Sequence, residues 1–136
     1  MTKQPNIVLI MADQLSPQWT GAYGHPVVKT PHMDALTARG MRFDRAYCNS
    51  PLCSPSRAAF MTGQYVTRTG SFDNATELRA SIPTFAHYLT ALGYRTCLSG
   101  KMHFVGPDQK HGFQDRVTTD IYPADFAWTP DWDNHD

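Results

Sequence analysis

Residues 6–12, NIVLIMA, are an unbroken apolar run led by Ile and Val, and such a run without polar alternation predicts a strand buried on both faces of a parallel sheet. It stops at Asp13. From Thr30 the pattern changes: a cap residue, Pro31 at the first helical position, Met33 and Leu36 three apart and a closing Gly40 predict a short helix. Residues 41–48 read as a second strand. Residues 54–63 repeat the helix pattern, with Ser54 as cap, Pro55 at the first helical position and Gly63 past the end, so that Cys53 stands just before a helix N-terminus. A third helix is predicted over 83–92, where Phe85, Tyr88, Leu89 and Leu92 recur at helical spacing before Gly93. Residues 94–99 follow as another strand.

Strands alternating with helices imply an α/β architecture with a mostly parallel sheet flanked by helices, and in such folds sites collect at the carboxyl ends of strands. Asp13 and the segment 100–103 both fall at such ends. Beyond Gly106 the chain turns rich in Pro, Asp and aromatic residues without a helical period, which predicts a loop-like stretch. The expected organisation is one domain over 1–136, with an α/β core part over 1–105 and an aromatic loop segment over 106–136.

Composition narrows the functional classes. Twelve basic side chains balance twelve acidic ones for a formal charge of +0, which removes the clustered positive charge a nucleic-acid partner needs. No apolar run approaches the roughly 20 residues of a membrane span. MTKQPN leads into a run too short for a signal peptide, so a cytoplasmic location is expected. The cysteines, Cys48, Cys53 and Cys97, are odd in number and lack a CxxC spacing, which speaks against a disulfide framework and a structural zinc site. Cys97, inside YRTCLS, reads as a buried small hydrophobe.

Cys53 is different. A nucleophile at a helix N-terminus faces unpaired backbone N–H groups and the positive end of the helix dipole, a setting that favours an anionic substrate. Arg57, one turn into the helix, can donate paired hydrogen bonds to oxygens at the same place. Gly100-Lys-Met-His103 offers a lysine point charge and a histidine able to accept a proton near neutral pH. The other histidines, His25, His32, His87, His111 and His135, have no spacing that builds a metal site.

The segment 53–63, CSPSRAAFMTG, resembles the signature of the sulfatase family of the alkaline-phosphatase superfamily: CxPxR, then an apolar residue, Thr and Gly. The resemblance implies an alkaline-phosphatase-like fold of which this is the N-terminal part. It also implies that a formylglycine-generating enzyme oxidises Cys53 to an aldehyde. One hydroxyl of the hydrate attacks sulfur and the second expels sulfate. By the same resemblance Lys101 contacts a sulfate oxygen and His103 the formylglycine hydroxyl. Asp13 takes the place of a metal-ligating aspartate, beside the Cys53-derived oxygen, for Ca²⁺, with Mg²⁺ or Mn²⁺ as alternatives. Many members have a second aspartate next to Asp13; here that position is Gln14. The family's later metal ligands and leaving-group acid have no counterpart in these residues.

Within the family, MADQ, CNSPLCSPSR, IPTFAHYL, YRTCLSGKMHFVGPDQ and TTDIYPADFAWTPDW resemble the choline sulfatases, which implies hydrolysis of choline O-sulfate and a homo-oligomeric full-length enzyme. Tyr122, Phe126, Trp128 and Trp132 are candidate walls for a quaternary ammonium group, Trp128 first among them, because such a cation is recognised by aromatic faces. Asp120, Asp125, Asp131 and Asp133 are expected to add long-range attraction. Two other functions remain open: a phosphonate or phosphate monoester hydrolase of the same superfamily, and a non-catalytic fragment or binding module that keeps the anion pocket.

Overall fold

The structure is a computed structural model and describes residues 4–118 and residue 120. Two compact units divide the chain, Met1–Ala46 and Tyr47–Asp136.

In the first unit, single-turn 3-10 helices at Pro17–Trp19 and Gly21–Tyr23 precede helix α1, Pro31–Arg39. Pro31 opens α1 as expected, its missing N–H costing nothing in the first turn. Thr30 is tied less conventionally. Its hydroxyl donates to Asp34 Oδ1 at 2.8 Å and accepts the Gly21 N–H at 2.8 Å, which stitches α1 to the preceding turn. Polar links dominate here, and Thr20 is the one buried residue among the described residues of this unit.

The second unit holds the core. Helix α2, Cys53–Thr62, is followed by a single turn, α3, Val66–Thr69, and by α4, Phe85–Ala91. Strands β1, Cys97–Leu98, and β2, Asp115–Arg116, pair in parallel with Cys97 opposite Asp115. Met61 from α2, Ala86 from α4, Leu98 from β1, and Met102 and Phe104 just beyond it form one buried cluster. Phe85 and Phe113 pack against it, their rings edge to face with centroids 6.0 Å apart. A second cluster joins Ala58 to Leu78 and Ile82. The α2 helix and the segment after β1 are thus fixed to each other by shared apolar burial.

Several sequence expectations change. Residues 6–12 and 41–48 form no strand, and Ile7, Val8, Leu9 and Ile10 are exposed. An apolar run becomes a strand only when neighbours accept its ladder hydrogen bonds, and among the described residues it has no paired neighbour. The last expected strand shortens from 94–99 to β1. Cys97 is exposed while Thr96 and Leu98 on either side are buried; the period of two along a strand, which residue type does not reveal, turns it outward. Of the expected apolar positions, Tyr88 on α4 and Leu92 at its C-cap are exposed, and Ala86 is the buried residue of α4. The stretch after Gly106 is not only loop, because it supplies β2 and the fully buried His111. Among the described residues, no helix is long and apolar enough to cross a membrane.

Candidate active site

Helix α2 begins two residues earlier than its sequence suggests, so Cys53 is its first residue and Leu52, not Ser54, takes the N-cap position. Leucine has no side-chain acceptor for the first-turn N–H groups. The missing acceptor comes from elsewhere: Asn74 Oδ1 accepts the Ser54 N–H at 3.0 Å. Gly63 closes the helix in the left-handed conformation, φ 66°, where a glycine carries no Cβ penalty.

Lys101 and His103 reach this helix start from the carboxyl end of β1. Lys101 Nζ lies 3.4 Å from Cys53 Sγ. Arg57 is buried, and its Nη1 donates to the Lys101 carbonyl at 2.7 Å, with Met102 Sδ 3.7 Å away. At least this part of its donor set therefore holds the 101–102 backbone. His103 is buried with φ 57°, an uncommon conformation for a residue with a Cβ. Its Nε2 is 3.1 Å from the Asn74 carbonyl oxygen. A carbonyl can only accept, so Nε2 carries the hydrogen and the lone pair of the neutral ring belongs to Nδ1. Burial lowers the His103 pKa from the ordinary 6.5, helped by Lys101 and Arg57, while the Asn74 bond and the Asp120 charge oppose that fall.

The structure thus gathers Cys53, Arg57, Lys101 and His103 at one helix terminus. A helix N-terminus, a lysine ammonium and a buried guanidinium together make this place favourable for an anionic substrate group. Asp13 belongs to the first unit, where it is exposed. Trp128, with Tyr122, Phe126, Trp132, Asp125, Asp131 and Asp133, lies outside the described residues. A concavity of about 490 Å³ lined by Cys48, Asn49, Phe60 and Tyr65, among others, contains none of the four gathered side chains.

A sulfatase family model matches residues 5–134. The chain belongs to the sulfatase family. It is 55% identical over 131 residues to a choline-sulfatase of Rhizobium meliloti (strain 1021), covering 96% of this chain and 26% of that protein. A solved structure in complex with its substrate D-glucosamine-2-N,6-O-disulfate superposes with a TM-score of 0.74 at 36% identity, covering 84% of this chain and 23% of that one. The phosphonate monoester hydrolase of Agrobacterium radiobacter gives 0.71 at 30% identity, covering 85% and 26%. The chain therefore spans about a quarter of the length of these relatives. With these neighbours, the helices and parallel strand pair are part of a sulfatase fold of the α/β, alkaline-phosphatase-like class.

Sulfatases generally use a divalent metal and a formylglycine. Among the described residues no three His, Cys, Asp or Glu side chains group as a metal site. A hard cation takes about six to eight oxygens, so Asp13 and its surroundings do not by themselves fit a resident ion.

Two residues of the site were missed from sequence. Asn74 serves α2 with its side chain and His103 with its carbonyl; lying 21 and 29 residues from Cys53 and His103, it carries no local signal. Asp120 was expected to attract a cation at long range. Instead its side chain is 2% exposed and is engaged with Arg116 and the 102–104 backbone.

Proposed function

We propose that this chain carries the nucleophile of a sulfuric ester hydrolase that cleaves choline O-sulfate to choline and sulfate, using a formylglycine made from Cys53. The observation that carries the reading is the 3.4 Å approach of Lys101 Nζ to Cys53 Sγ at the first residue of α2. In the mature enzyme Sγ marks the place of the aldehyde-hydrate oxygens. Those oxygens supply the attack on sulfur and the later expulsion of sulfate. Lys101 stabilises the negative charge that builds beside position 53. His103, kept neutral near pH 7 by burial, accepts at Nδ1 the proton of the remaining hydroxyl as the C–O bond to sulfate breaks and the aldehyde carbonyl re-forms. Arg57 holds the Lys101 backbone and adds positive charge from beneath. The family resemblance also supports a divalent ion, Ca²⁺ first, in the full-length enzyme; a cytoplasmic location goes with the same reading.

Choline as the leaving group is supported by the 55% identity to a choline-sulfatase and by the aromatic segment around Trp128. A second reading, phosphonate or phosphate monoester hydrolysis, is supported by the likeness to a phosphonate monoester hydrolase. One experiment separates them. In active protein made with the maturation enzyme, peptide mass spectrometry should find an aldehyde or its hydrate at position 53 and thiols at Cys48 and Cys97. Cys53→Ala should then abolish sulfate release from choline O-sulfate with the fold intact. Retained turnover overturns the nucleophile. Faster release from a phosphonate monoester selects the second reading, and aldehyde-bearing protein that turns over neither ester is a binding module. Trp128→Ala should cost about ten-fold on choline O-sulfate while sparing a neutral aryl sulfate, as loss of a cation–π contact implies.

A further inference from the structure

Segment 100–106 bears Lys101 and His103 yet has no regular secondary structure. Something else must hold it. The N–H groups of Met102 and His103 both donate to Asp120 Oδ1, at 2.8 and 3.0 Å, and the Phe104 N–H points to Oδ2 at 3.4 Å. Successive N–H groups around a residue with positive φ form a concavity that binds an anion, and here the anion is a side chain of the same molecule.

The carboxylate is itself anchored. Arg116, which ends β2, donates to Asp120 Oδ2 at 2.6 Å, the two side chains being 8% and 2% exposed. A second guanidinium nitrogen, Nη1, donates to the carbonyl and to Oε1 of Gln109, at 2.7 and 2.8 Å, and Nε donates to the Thr118 carbonyl at 3.1 Å. Gln109 Nε2 in turn donates to the carbonyls of Phe104 and Gly106, both at 2.8 Å. The guanidinium also lies 5.8 Å from the centre of the Phe104 ring. The chain of bonds thus leaves the turn at 102–104, passes through Asp120, Arg116 and Gln109, and returns at 104–106.

From this closed circuit we propose that Asp120 is a positioning residue of the reaction, a buried carboxylate that holds the 101–104 turn so that Lys101 faces position 53 and His103 faces Asn74. This rests on the sulfatase reading for the reaction it serves, but the clamp itself is a property of this chain. The geometry separates it from an ordinary ion pair. On the same strand Asp115 pairs with Arg95 at 2.7 Å, but those side chains are 41% and 83% exposed and hold no part of the turn. A second consequence is electrostatic: the Asp120 charge favours protonated His103, against burial, Lys101 and Arg57.

The test compares Asp120→Asn, the neutralised pair Asp120→Asn/Arg116→Gln, and the control Asp115→Asn, in active full-length protein. Both Asp120 variants should lose about ten-fold or more in kcat with KM changed less than about two-fold, as misplacement of catalytic groups implies. The His103 side-chain resonance, assigned with His103→Gln, should titrate at lower pH than in wild type. The control should match wild type in both. A folded double variant with wild-type kcat and an unmoved His103 titration overturns the proposal. If both variants fail to fold, wild-type protein decides: the Met102 and His103 amide protons, both held by the buried Asp120 carboxylate, should exchange slowly and with similar protection. Fast exchange at either amide overturns it as well. Wild type that turns over no sulfate ester counts against the functional reading, while amide exchange and the His103 titration still judge the clamp.

Discussion

The first 46 residues and the rest of the chain use opposite means of order. The first unit contains the strongest apolar signal, yet Ile10 is 90% exposed and the unit's ties are hydroxyl, carboxylate and guanidinium bonds such as Thr30 to Asp34 and Arg42 to the Ala22 carbonyl. The second unit contains weaker apolar patterns and buries them, together with Arg57, His103 and His111. The difference teaches that an apolar run states a capacity for burial, whereas burial itself depends on which partners reach it. Polar groups are buried in the second unit because each local element leaves donors or acceptors that another segment satisfies, as Asn74 does for α2.

This contrast can be broken in three ways. The largest effect is expected at the centre of the second unit. Lys101→Ala removes the charge beside Cys53 and should lower kcat/KM for sulfate esters by roughly two orders of magnitude or more, as loss of a preorganised charge does; steady-state kinetics with an unchanged free energy of unfolding is the check. A loss of less than about five-fold would place the charge stabilisation elsewhere. Next comes packing. Met61→Ala empties a fully buried position in the main cluster and should cost about 2–5 kcal/mol by denaturant unfolding. Ile10→Ser, at an exposed site, should stay within about 0.5 kcal/mol in this 136-residue chain. Equal costs at the two positions would erase the distinction between the units.

The smallest effect concerns acid. Burial lowers the pKa of both His103 and His111, with Asp108 and Glu77 partly opposing it at His111. The unfolded chain then takes up protons first, from about pH 6.5 downward. Stability should accordingly be greatest above that pH, fall as acidification continues, and level off once the folded-state values are passed. His111→Leu should flatten the slope of unfolding free energy against pH between about 7.5 and 5.5. An unaltered slope would mean that the ring is not held neutral in the folded state.

Helices and motif positions were legible in the sequence, because caps, prolines, glycines and helical spacing act within a few residues. Pro31 opens α1 and Gly63 closes α2 as predicted, and Cys53 opens α2 two residues ahead of its predicted first residue. Strands were less legible. Their hydrogen bonds run to other segments, so NIVLIMA announced burial without naming a neighbour, and β2 had no apolar pattern at all. Candidate chemistry followed the same division. Lys101 and His103 could be read beside Cys53 through a family resemblance, whereas Asn74 and Asp120 act through a side-chain cap, a main-chain carbonyl and a set of amide protons, none of which leaves a periodic trace. The outward turn of Cys97 depended on which of two alternating faces met the core, a fact set by Leu98 and its packing partners.

The Lys101–Cys53, Arg57–Lys101 and His103–Asn74 contacts join residues 48, 44 and 29 positions apart. Helix α2, by contrast, closes through bonds four residues long. Closing long loops costs entropy before any contact rewards it, so the bonds of α2 should form ahead of the cluster at its tip. The order should reverse under stress. A chain warmed or mildly denatured should lose the register of 101–104 against α2 before its helical signal, which would make helicity alone a poor gauge of how many molecules are competent to react.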